Sequence, residues 1–206
     1  MSISVRLIGH RYEDRKRFSG DDLLFKYYGL DAYKYSPKPH LKSIKMPALS
    51  SWKSRHFNDL KYLLVKIREG ISLEYDDIYD NPEIQRELLM EYRAKGDSHL
   101  ICHPHFFGCY LPIDFKEINL ASSYLWGLGS SFNLRDELQE IASKLDFDLG
   151  KYVTYEFILS DDEIDCLIVK MFDEDDLFGY EKMLILQLYN MAIASISYDL
   201  VMDFSG

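Results

Sequence analysis

Residues Met183–Tyr198 read MLILQLYNMAIASISY, sixteen positions without a charged side chain. A membrane-spanning helix needs about twenty predominantly apolar residues, whereas this run contains Gln187 and Asn190 and stops at Asp199. It therefore predicts a helix buried inside the protein, extending from about Leu177 to Val201. A helix that is apolar on nearly all sides has to be surrounded, so it forms the centre of the fold and other elements must cover it.

The covering elements follow from their periodicity. From Trp52 to Glu69 the apolar residues Phe57, Leu60, Leu64 and Ile67 recur at three- and four-residue spacing, and Gly70 supplies a stop. This predicts a helix with one buried stripe and a basic outer face. Pro82 suits the first helical position after Asn81, and EIQRELLMEYRAKG (83–96) continues to Gly96. Leu134, Leu138, Ile141, Ala142 and Leu145 mark another helix, with Asn133, Ser130 or Ser131 placed to cap it. Ser160 is a natural cap for a helix that starts at Asp161 with acidic residues in its first turn.

Strand signals are shorter. ISVRLIG (3–9) alternates apolar and polar residues. GCYLPIDF (108–115) is a second candidate, in which Pro112 suits an edge strand or a strand end. KYVTYEFIL (151–159) fits a strand or the approach to the next helix, and residues 31–51, with Pro37, Pro39 and Pro47, read as an extended segment or loop. The expected fold class is α+β: one predominantly helical domain over residues 1–206, with a small antiparallel sheet and a central apolar C-terminal helix.

Charge is divided along the chain. Residues 1–68 carry a net +9, residues 69–134 a net −7 and residues 135–206 a net −12. The basic segment either packs against the acidic remainder or leaves an acidic face that meets a cationic partner, where complementary charge speeds encounter. The expected contact residues are Asp161, Asp162, Glu163, Asp165, Asp173, Glu174, Asp175 and Asp176. With sixteen Tyr, the chain also has the residue type that offers stiff contact area with a polar tip. Three cysteines argue against a disulfide framework and suit a reducing cytoplasm, and the N-terminus lacks the order of a signal peptide. The +9 segment raises nucleic-acid binding as a question, but a pI near 5 opposes a polyanion.

Chemistry concentrates in HLICHPHFFGCYLPIDF (99–115), which holds His99, Cys102, His103, His105, Cys109 and Asp114. His99, Cys102, His103 and His105 would be the ligands of a metal site, but no second pair of ligands elsewhere completes a familiar arrangement. Cys109 or Cys102 beside a histidine would be an activated nucleophile, with His103 and Asp114 as partners. The residues of LGSS (128–131) match no phosphate-loop pattern and suit capping. No cofactor is expected, and the stretch reads chiefly as a structural signature.

Taken together, His103-x-x-x-x-Gly108-x-Tyr110-x-Pro112-x-Asp114-Phe115 and Leu128-Gly129-Ser130-Ser131-x-x-Leu134-x-x-Glu137-Leu138 resemble a family of small bacterial proteins, immunity-protein-like. The resemblance spans residues 99–145 and implies a bacterial cytosolic protein, with no activity carried over. Pro104-His105-Phe106-Phe107 departs from the small polar residues those relatives place there. These observations predict a binding protein rather than an enzyme: an immunity or inhibitor protein that occludes a basic partner, a cognate toxin, with neither membrane nor nucleic acid involved. The alternative is a metal-dependent or Cys/His hydrolase using residues 99–114.

Overall fold

The computed structural model describes residues 2–8, 48–73, 82–105, 107–116, 127–154, 158–173 and 178–206. Strand β1 (Ser2–Ile8) and strand β2 (Ala48–Lys53) precede helix α1 (Ser54–Glu69), α2 (Pro82–Lys95) and the single-turn α3 (His99–Cys102). Then come β3 (Phe107–Leu111), β4 (Leu128–Ser130), α4 (Ser131–Lys144), a 3-10 turn (Leu149–Lys151), α5 (Asp161–Asp173), α6 (Gly179–Tyr198) and β5 (Val201–Ser205). The fold is α+β with helix dominant, as composition and periodicity predict.

The five strands lie in the order β2-β1-β5-β3-β4. All neighbours are antiparallel except β3 and β4, which are parallel, so the sheet is mixed rather than wholly antiparallel as expected. The segment carrying Pro112 is not an edge strand either. β3 bonds to β5 on one side and to β4 on the other, and Pro112 falls just past its last residue, where a missing N–H breaks no ladder. The long apolar helix also ends earlier than Val201: Asp199 adopts φ 53 and closes α6 with its N–H on the Ser195 carbonyl, freeing Val201–Ser205 to become the central strand.

Helix α6 is the buried centre, packed against α1, α4, α5 and the sheet. Its polar residues Gln187, Asn190 and Ser195 are each hydrogen-bonded, which offsets the cost of burying them. The Gln187 side-chain oxygen accepts from the Trp52 indole at 2.6 Å. Asn190 clamps Leu159 by both backbone groups, at 2.9 Å each, which fixes the segment entering α5. Ser195 donates to the Leu200 carbonyl at 2.5 Å and meets Ser131 Oγ at 2.7 Å.

Local capping explains the remaining boundaries. Ser130, among the three candidates, caps α4 by accepting from Asn133 N, and Ser160 forms a reciprocal box with Glu163 at the start of α5. Residues 151–154 and 158–160 form no strand, residues 155–157 lie outside the described residues, and so does most of the 31–51 segment.

Candidate functional site

The histidine-rich stretch lies inside the protein. His99, His103 and His105 are each 1% exposed, and Tyr110, Phe57 and Phe204 pack among them. The His103 ring stacks on Tyr110 with centroids 4.3 Å apart, and His105 lies 4.8 Å from His103. Lys61 of α1, fully buried, donates to the His103 carbonyl at 2.5 Å.

Hydrogen bonds fix the tautomers. His99 Nδ1 accepts from Ser130 N at 2.8 Å, so its proton sits on Nε2, facing the Lys116 carbonyl at 3.3 Å. His103 Nδ1 accepts from His105 N at 3.1 Å. Tyr110 donates its hydroxyl proton to the His99 carbonyl, so the His105 Nε2–H, 3.2 Å away, is the donor to the Tyr110 oxygen. The lone pairs a metal would need on His99 and His103 are therefore already held by backbone amides. Among the described residues no three His, Cys, Asp or Glu side chains are grouped to hold a metal.

The hydrolase residues are not brought together. Tyr110 faces the main core, whereas its neighbours Cys109 and Leu111 point to the other side of the sheet, where they pack with Val201. Asp114 is exposed and lies 3.5 Å from the Asn133 amide. Burial pushes the Cys102 thiol up to about 11, away from the thiolate a nucleophile needs, and its Sγ faces the Arg93 carbonyl.

What these residues do hold is the junction between α3 and α4. The Glu137 carboxylate, from α4, accepts from His99 N at 3.0 Å and Leu100 N at 2.6 Å, and Ser98 Oγ accepts from Ile101 N. Ser130 donates to the Ile113 carbonyl at 2.6 Å, and the Asn133 amide donates to that of Phe115 at 2.7 Å. Arg68, from the basic part of the chain, lies 3.6 Å from Glu137 and 3.0 Å from Glu140.

Titration of this core sets a pH dependence. Burial, reinforced by Lys61, holds His103 and His105 well below the usual imidazole value of 6.5, and burial lowers His99 to about 4. Buried bases with lowered values bind fewer protons folded than unfolded, so stability is complete above pH 6.5 and is lost as pH falls below it. Burial lowers Lys61 too, in the same sense but over a window that opens at its ordinary 10.5. Burial raises Glu137 to about 7 and Asp59 to about 6, and these two act oppositely as pH falls. Among the described residues the three histidines outnumber these two acids, so their balance destabilises the fold on acidification below pH 6.5. His103→Gln keeps an acceptor for His105 N but cannot titrate, and each proton removed from the linkage flattens the slope by about 1.4 kcal/mol per pH unit. Urea midpoints measured across this range check it; an unchanged slope in His103→Gln contradicts the neutral-histidine assignment.

The surface carries the acidic groups. Asp162, Glu163 and Asp165 are exposed on the first turns of α5. Asp161 and Asp173 begin and end that helix, but their side chains lie outside the described set, as do residues 174–176 with Glu174, Asp175 and Asp176. A second acidic row forms no consecutive run in the sequence and is missed by a search for charge clusters: Glu83, Glu87 and Glu91 of α2 are all exposed. Their four-residue spacing places them on one helix face, each about 6 Å along the axis from the last. Exposed Ile84 and Met90 flank that row. Among the described residues no helix is long and apolar enough to cross a membrane.

A family described as "Putative DNA-mimic protein" matches residues 15–204. No curated protein and no solved structure matches the chain. A DNA-mimic family points to an acidic, protein-binding, inhibitor-like role and says nothing of toxin immunity. It also overturns the expected partner, a basic protein such as a cognate toxin with no connection to nucleic acid: the partner that a DNA mimic implies is a DNA-binding protein.

Proposed function

Because the chain belongs to this DNA-mimic family, we propose that it inhibits a DNA-binding protein by occupying the surface that would otherwise hold the duplex. The observation that carries the reading is the exposed carboxylates, the row Glu83, Glu87 and Glu91 on α2 and the cluster Asp162, Glu163 and Asp165 at the start of α5, in a chain of net charge −10. Proteins grip DNA largely through Lys and Arg on its phosphates. Carboxylates repeated at four-residue spacing on one face of α2 offer those cations a comparable set of anions. Carboxylates stand in for phosphates and not for base edges, so inhibition would act on phosphate contacts rather than on base readout.

The test is displacement of a fluorescent duplex from a panel of purified major-groove and minor-groove DNA-binding proteins. Wild type releases the duplex from at least one of them, and release weakens as salt rises. Three lost surface charge contacts at about 0.5–1 kcal/mol each predict at least a tenfold weaker effect for the Glu83→Gln/Glu87→Gln/Glu91→Gln variant. Displacement from no member of the panel would falsify the reading.

A further inference from the structure

Beside the carboxylates of α5 lies an open groove of about 440 Å³. Its base is formed by buried Leu159 and half-buried Tyr152 and Leu167, and its rim by exposed Asp162, Glu163 and Cys166. Lys151, also on the rim, turns to Asp148 at 3.8 Å. Tyr152 packs against Phe147 with ring centroids 5.5 Å apart, so its ring is held in place by a second aromatic. Asp162, Glu163, Cys166 and Leu167 share one side of α5, so two of that helix's exposed carboxylates stand at the edge of the groove.

An apolar floor under an anionic rim suits a side chain with an aliphatic stem and a cationic end. Arginine fits this description best, since its stem can lie along Leu159 and Leu167 while its planar guanidinium stacks on a tyrosine face and bonds carboxylates in pairs. Lysine offers the stem and the charge but neither the plane nor the fork. From this complementarity the geometry points to the groove as the seat for an arginine-bearing segment of the DNA-binding partner, one that otherwise lies on DNA phosphates. The inference rests on the proposed DNA mimicry for the partner's identity, and it adds where on the chain the partner is held and by which residue type.

Cys166 is a built-in probe. It is exposed on the rim, whereas Cys102 is partly buried and Cys109 is buried, so a bulky maleimide reacts with Cys166 first. The first measurement is the alkylation rate of Cys166, located by mass spectrometry, with a short arginine-rich peptide or its lysine counterpart present. Arginine is expected to slow the reaction several-fold and lysine less, with the difference lost in Tyr152→Leu; no protection by the arginine peptide at saturation overturns the proposal. The second measurement repeats the duplex displacement with the alkylated chain, using alkylated Cys166→Ser as control. Weaker displacement by the plugged chain supports the groove. Equal displacement overturns it while leaving DNA mimicry intact. If neither form displaces duplex, the mimicry reading fails, and protection of Cys166 by the arginine peptide alone decides whether the groove takes arginine.

Discussion

Gly108→Ala is expected to remove a large share of the chain's folding stability. Gly108 adopts φ +96, a conformation open to glycine and strained for any side chain, at a cost of about 1–3 kcal/mol. Strain is the smaller part. A Cβ there would stand 2.2 Å from the Gly127 carbonyl oxygen and 2.5 Å from its Cα, where the chain enters the parallel β3/β4 pair. These obstacles are backbone, so no rotamer change removes them, and the Cys109 N–H bond to the Gly127 carbonyl would open with them. Together the effects should exceed about 4 kcal/mol, a large share of the 5–15 kcal/mol that holds a typical domain. Gly70→Ala is the control, since Gly70 has φ +66 but nothing within 4 Å of the added atom, and about 1–2 kcal/mol is expected. Circular dichroism and urea unfolding of the two variants distinguish packing from strain; comparable stability in both would refute the close-approach argument.

Glu137→Ala is the second large effect, about 3–5 kcal/mol. The change removes the acceptor of two buried amides, His99 N and Leu100 N, and takes from Arg68 one of its two carboxylate neighbours. Unpaired buried donors cost about 1–3 kcal/mol each, and breaking a buried ion pair from one side is among the larger single-residue losses. Glu137→Gln retains one acceptor and should lose roughly half as much. Because burial raises the Glu137 carboxyl to about 7, the wild-type group is itself neutral below that pH. The gap between wild type and Glu137→Gln should therefore widen as pH falls from 7 towards the ordinary carboxyl range, because the wild-type group gains stability on taking up a proton and the amide cannot, which urea titrations on either side of 7 will read.

The helices were legible because their signals are local. Pro82 and Gly96 bracket α2, Ser160 and Glu163 start α5, and the uncharged run from Met183 marks α6. The strand β5 was not legible, because VMDFS follows directly on an apolar helix and only the turn at Asp199 separates them. Its place between β1 and β3 depends on residues far away in the chain. Pro112 left an edge strand and a strand end open, and pairing with β4 settled it. At the histidine cluster, residue density was visible but lone-pair availability was not: whether His99 and His103 can bind anything depends on which amides reach their Nδ1 atoms. The row Glu83, Glu87, Glu91 was visible at its four-residue spacing, yet consecutive runs such as Asp161, Asp162 and Glu163 draw the eye first, although neighbours on a helix point in different directions.

The position of β5 ties the protein's formation to the order of its synthesis. Val201–Ser205 is made after every other described helix and strand, yet it is the strand that joins β1 to β3. While a ribosome is still adding residues before 201, the helices can form but the two halves of the sheet have no strand to share, and Ile3, Val5 and Tyr110 lack the Met202 and Phe204 side chains that complete their core. Closure over such a sequence separation is slow compared with helix formation. Proteolysis within Val201–Ser205 would undo the same step in reverse, so a cut there would abolish the shared strand without touching the carboxylates of α2 or α5.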